Sequence, residues 1–190
     1  LLTDHLNAIM HNPDFQSLEA AWTGLRDMVF GTETGPKLKL RLLNVSKKEL
    51  LKDLETAVDY DMSNLFKKVY EDEYGTFGGS PYSMLLSDFY FSRHPQDISL
   101  LERISKVAAA AHAPFVAAAD PALFDMKGFT ELGTPRDMSK IFESAELVTW
   151  KAFRDSEDSR YVSLVLPRYA ARLPYLSLIH ISEPTRRTQI

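Results

Sequence analysis

The chain contains no cysteine. Disulfide staples and thiolate metal sites are excluded, and a reducing compartment is the simplest setting. It also lacks any unbroken apolar run of about 18 residues, the length a membrane-spanning helix needs. Its most apolar stretch, Val107 to Ala119, is mostly alanine and is interrupted by His112 and Pro114, so membrane insertion is not expected. Basic charge is in deficit: 22 Lys and Arg stand against 26 Asp and Glu, for a net charge of −4. Nucleic acid, whose phosphates demand a basic footprint, is therefore not an expected partner. Internal repeats and low-complexity linkers are absent too.

What is present reads as a globular α/β chain. The apolar fraction of 45% is ordinary for such a protein, and the length suits one domain or slightly more. Several helix starts are legible. Asn12-Pro13, His94-Pro95, Asp120-Pro121 and Thr134-Pro135 each put proline just after a potential cap, where its missing N–H removes no hydrogen bond. Ser46-Lys47-Lys48-Glu49 is a capping box. Leu50, Leu51, Leu54, Ala57 and Val58 then share a helical face, and so do Leu100, Ile104, Val107, Ala108 and Ala111 after Pro95.

Strands are expected between the helices. Lys37 to Val45 alternates charge with leucine, as a strand with one wet face does. Tyr82–Phe91, Phe115–Ala119 and Tyr161–Leu166 are more continuously apolar, as strands covered on both faces tend to be. Helices alternating with strands predict βαβ crossovers and a mixed, largely parallel sheet flanked by helices, an α/β or α+β fold.

Catalytic signatures are weak. Gly75-Thr76-Phe77-Gly78-Gly79 is the best candidate for a phosphate cradle. It lacks the lysine and hydroxyl of a P-loop, and it precedes a strand where the common nucleotide fingerprints follow one. His5, His11, His94, His112 and His180 form no ligand spacing. His94 reads as a helix cap and His112 as a buried, hydrogen-bonded residue. Glu71-Asp72-Glu73 and Asp155-Glu157-Asp158 read as solvated faces, the second bracketed by Arg154, Arg160, Arg168 and Arg172 and so suited to ion pairs. There is no G-x-S-x-G nucleophile elbow. The reading is no catalytic, cofactor-binding or metal residue, with one alternative: an enzyme binding a phosphorylated metabolite through Gly75–Gly79. Aromatics crowd the stretch from Phe66 to Phe91 (Phe66, Tyr70, Tyr74, Phe77, Tyr82, Phe89, Tyr90, Phe91). Most suit a core, and a share of them suits a surface that meets other chains.

Leu65–Phe115, LFKKVYEDEYGTFGGSPYSMLLSDFYFSRHPQDISLLERISKVAAAAHAPF, resembles the large sheath subunit of bacterial type VI secretion systems, the TssC (VipB, ImpC, EvpB) family. The resemblance continues through NPDFQSLEAAWTGL (Asn12–Leu25), LLNVSKKELLKDLE (Leu42–Glu55), IFES (Ile141–Ser144) and FRDSEDSRYVSLVLPR (Phe153–Arg168). Departures are small, such as Ser83 where glycine is common in the family.

The resemblance implies a structural protein of the bacterial cytoplasm with a body like a contractile tail sheath and no cofactor. It implies pairing with a small subunit (TssB, VipA) and with further copies in a helical sheath around the inner tube protein Hcp. Disassembly by the ClpV ATPase is also implied. Gly75, Phe77, Gly78, Gly79, Arg93, His94, Glu157, Asp158, Ser159 and Arg160 match family motif positions, and they are the expected loop-fixing and interface residues. The expected organisation is an N-terminal helical segment over 1–36 and a sheath body over 37–175, incomplete at both ends. Residues 176–190, LSLIHISEPTRRTQI, resemble a translated sequencing adapter and are set aside as a non-native tail.

Overall fold

In the computed structural model, which describes residues 2–134, 137–144 and 147–168, the described part of the first unit is residues 2–43 with Arg168, and the second is Asn44–Pro167. In the first, α1 (Leu2–Met10) is followed by α2 (Pro13–Gly31). The Asn12 side chain accepts from the Asp14 and Phe15 amides, and Pro13 occupies the first helical position. Buried Gln16 donates through Nε2 to the Met10 carbonyl at 3.1 Å, which fixes the turn between the two helices.

The expected strand over Lys37–Val45 does not form. Gly35 and Leu38 exchange two backbone hydrogen bonds of 3.0 and 3.2 Å, closing a tight turn, and the residues after them have no regular structure. Leu38, Leu40, Leu42 and Leu43 are all exposed. Alternation prepares one side of a ribbon for burial, but a strand also needs a neighbour to pair with.

In the second unit the capping box is complete. Ser46 Oγ accepts from the Glu49 amide at 3.2 Å, and Glu49 Oε2 accepts from the Ser46 amide at 2.8 Å. The Ser46 hydroxyl and then its amide hold the exposed Glu49 carboxyl below its usual range. Helix α3 (Lys47–Thr56) buries Leu50 and Leu54. It stops before the expected Ala57 and Val58, and Val58 is fully exposed. The backbone turns extended at Ala57, whose amide makes the last helical bond to the Asp53 carbonyl, and the Asp53 carboxylate accepts from the Asn64 and Leu65 amides at the start of a later helical segment. That segment begins as α4 (Asn64–Phe66) and widens into a π-helix over Lys67–Tyr74. Phe66, Tyr70 and Tyr74 stack along it, with ring centroids 4.8 and 5.1 Å apart.

Three parallel strands follow in the order β1 (Leu85–Phe91), β2 (Phe115–Ala119) and β3 (Val162–Val165). The register of β1 slips between Leu86 and Tyr90. Helix α5 (Pro95–Ala110) crosses from β1 to β2. A run through a 3-10 turn at Pro121–Phe124, one at Phe129–Gly133, α6 (Met138–Ile141), α7 (Val148–Asp155) and a 3-10 turn at Glu157–Tyr161 leads to β3. The expected start at Pro135-Arg136 and the segment 176–190 lie outside the described residues.

Helix α5 is the centre of the core. Leu100, Ile104, Val107, Ala108 and Ala111 are buried as the spacing predicts, and Ile98, Leu101 and Ser105 are buried as well. Its remaining side carries Gln96, Glu102 and Lys106, with Glu102 and Lys106 paired at 3.4 Å toward solvent, so the helix is amphipathic with a wide apolar face. The strands, α3 and α7 all contact it.

The start of α5 is locked by one ion pair. Lys47 Nζ reaches Asp97 Oδ1 at 2.6 Å and the Tyr90 carbonyl at 2.6 Å, and it sits 4.4 Å from the Phe91 ring centroid. Asp97 Oδ2 also accepts from the amide and hydroxyl of Ser92, both at 2.8 Å. Partial burial pushes the Asp97 carboxyl up, but these hydrogen bonds and the Lys47 charge outweigh it and hold the group below its usual value. The folded value is thus lower than the unfolded one. The resulting stabilisation is complete above the ordinary carboxylate range near pH ~4 and is lost as pH falls through the lowered folded value. Asp97→Asn should lower the unfolding free energy by about 2 kcal/mol at neutral pH. It should also flatten the acid limb of stability against pH, and urea titrations between neutral pH and about pH 3 check both effects.

Candidate functional site

Parallel strands sort the loops into two ends of the sheet. Gly75–Gly79 precedes β1, His112–Pro114 precedes β2 and Glu157–Arg160 precedes β3, so all three enter strands at one end. Arg93 and His94 follow β1 and lie at the opposite end. The ten candidate residues therefore do not form one site.

At the entry end, the glycine loop is closed on itself. The Gly75 amide donates to the Tyr70 carbonyl at 2.7 Å, ending the π-helix, and the Gly79 amide donates to Thr76 at 3.0 Å. Gly78 has φ +83°, a conformation that favours glycine. A Cβ on Gly79 would collide with the Glu73 carbonyl. Glu73 Oε2 accepts from the Ser80 amide at 2.9 Å. The Gly75 and Gly79 amides are thus spent on backbone carbonyls, and the Glu73 carboxylate ties the residue after the loop. Phe77 is fully exposed at the tip.

The other entry loops meet around His112, and here the sequence reading needs correction. His112 is exposed, not buried, with φ +51°. It ends α5: its amide donates to the Ala109 carbonyl and the Ala113 amide to the Ala108 carbonyl. This is the hydrogen-bond pattern of a Schellman motif, which usually puts glycine at this position. The imidazole lies between the rings of Tyr74 and Tyr161, with centroids at 6.0 and 6.4 Å, and Nδ1 is 3.4 Å from the Tyr161 hydroxyl. Arg160 stacks over Tyr161 at 5.4 Å and pairs with Glu157 at 3.2 Å. Buried Ser159 is placed by its hydroxyl, 2.9 Å from the Arg154 carbonyl and 2.8 Å from that of Ser156. Asp158 is half-buried. The spacing Phe66, Tyr70, Tyr74 was the readable sign of this ladder, whereas its continuation through His112 to Tyr161 depends on tertiary packing.

At the exit end His94 caps α5 as expected, its Nδ1 accepting from the Gln96 amide at 3.3 Å. Arg93 pairs with Asp125 at 2.6 Å, and Asp125 holds a left-handed φ of +55° after the turn at Pro121–Phe124. Among the described residues the strand order 1-2-3 contains no reversal of the kind that forms a switch-point crevice in open α/β sheets.

A cavity of about 160 Å³ sits beside β3, lined by Leu123, Phe124, Phe142, Trp150, Phe153, Arg154, Val162 and Leu164. Apart from Arg154 its lining is apolar, so it brings no acid–base pair together. Among the described residues no group of three His, Asp or Glu converges as a metal site. No helix among them is long and apolar enough to cross a membrane.

A family model for VipB, described as the EvpB tail sheath N-terminal domain, matches residues 1–183. That match runs into the segment 176–190, which lies outside the described residues. A Pseudomonas aeruginosa protein named type VI secretion system sheath protein TssC1 is 51% identical over 176 residues, which is 92% of this chain. The chain spans 35% of the length of that relative.

Gly79→Ala should lower stability by about 1–3 kcal/mol, because the Glu73 backbone must move. Phe77→Ala should leave it within about 0.5 kcal/mol, because that ring touches nothing it would lose. Urea unfolding of the two variants distinguishes a fixed loop from a tip that is free to act elsewhere.

Proposed function

Because the chain belongs to the VipB family of tail sheath N-terminal domains, we propose that it is part of the large subunit of a type VI secretion contractile sheath. The observation that carries this reading is the family match over 1–183 together with 51% identity to a named sheath protein. In this role the protein acts mechanically and catalyses nothing. It pairs with the small sheath subunit, TssB, and with further copies of itself in a tube around Hcp. Contraction of that tube drives the inner tube outward, and ClpV dismantles the contracted form. A subunit of this kind needs a stiff body and two alternative sets of contacts.

Gly75, Gly78, Gly79 and Ser159 have the role of fixing loop shape in this reading. Phe77, Arg93, His94, Glu157, Asp158 and Arg160 are the residues offered to neighbouring chains. The support is that the glycine loop is internally bonded while Phe77 at its tip is bare, and that Glu157 and Arg160 are exposed in the loop that enters β3 at the same end of the sheet.

Electron microscopy of the large subunit at its full family length, co-expressed with TssB, tests the proposal. Tubes are expected, and a soluble pair that never polymerises would count against it. In that background Phe77→Ala and Arg160→Glu should each reduce co-purification with other sheath chains without shifting the urea midpoint. The 190-residue chain with TssB should give no tubes.

A further inference from the structure

Helix α2 is covered along one side and carries an apolar row along the other. On one side Gln16 is buried and Ala20, Thr23 and Met28 are half-buried. On the other, Phe15, Leu18, Trp22, Leu25 and Val29 follow each other at alternating steps of three and four, the spacing of a coiled-coil seam. Four of these five are exposed, Leu18 by 58% and Trp22 by 60%, and Leu25 is half-buried. The seam extends about 21 Å along the helix.

The charges beside the seam favour a particular occupant. Glu19 and Arg26 each follow an inner leucine by one residue, at equivalent places one heptad apart, and Asp14 flanks the seam at its start. Two copies laid parallel would set Asp14 of each against Glu19 of the other, acid on acid. Laid antiparallel, Glu19 of each copy meets Arg26 of the other, twice over, with Trp22 beside the twofold axis. The helix is complementary to its own reverse.

We propose that the outward seam of α2 pairs antiparallel with α2 of a second copy of this chain. The proposal concerns a face different from the sheet-end loops and does not rest on the sheath reading, so either can fail alone.

The chain has no cysteine, so one introduced thiol is an unambiguous probe. Under mild oxidation Trp22→Cys should give a covalent dimer much faster than Asp27→Cys, which lies off the seam. Sedimentation equilibrium of the unaltered chain should show a dimer fraction rising with concentration. Arg26→Glu should weaken that association about fivefold, turning two attractions into repulsions, and Glu19→Arg added to Arg26→Glu should restore it. Circular dichroism confirms that the variants keep their helices. A chain that stays monomeric, thiols that cross-link equally at both positions, or association indifferent to the charge swap would each overturn the proposal. A monomer whose seam is captured by a different helical protein would overturn it as well.

Discussion

The Lys47–Asp97 contact is the constraint on which the second unit depends. It joins the first residue of α3, the last turn of β1 and the first turn of α5 at a single point. A parallel sheet forces the chain to leave one strand, cross over and return. The angle at which α5 departs from β1 therefore decides where its many apolar residues land. Ser92 contributes both amide and hydroxyl to the same carboxylate, so the short connection between β1 and α5 has little freedom left. Asp53, two turns along α3, caps the start of α4 by the same device. Two carboxylates thus place three helices with hydrogen bonds rather than with bulk apolar contact.

Local chemistry was the legible part of this fold. Asn12, Ser46 and His94 cap the helices they were expected to cap, because a cap requires only residues within a few positions of it. The inward face of α5 and the full extent of β2 were readable for a similar reason, since both are regular apolar patterns bounded by prolines or polar residues. The failures share a cause. Lys37–Val45 has strand alternation but no strand beside it. Val58 fits a helical face that ends two residues earlier, where the backbone turns extended at Ala57. His112 follows an alanine run and so looked buried, yet the chain must turn there to enter β2, and a left-handed residue at a helix end points its side chain outward.

The candidate residues were divided in the same way. The glycines could be picked out as loop-fixing, since Gly78 and Gly79 have backbone reasons to be glycine. Which loops share an end of the sheet could not be read without the parallel order of the strands. That order unites Gly75–Gly79 with Glu157–Arg160 through Tyr74, His112 and Tyr161, and it removes Arg93 and His94 to the far side.

The proposed mechanical role sets requirements different from those of catalysis. An enzyme gathers several titratable groups in a space from which water can be excluded. Here the described titratable groups with shifted values, Glu49 and Asp97, are engaged in holding helix starts. The loops at the sheet entry are tied by their own hydrogen bonds, Gly75 to Tyr70, Gly79 to Thr76 and Ser159 to Arg154 and Ser156. Densely packed interiors transmit displacement and do not absorb it. A body that keeps its shape under load lets alternative states differ in which surfaces touch, and that is the form in which an assembly can hold free energy between its subunits.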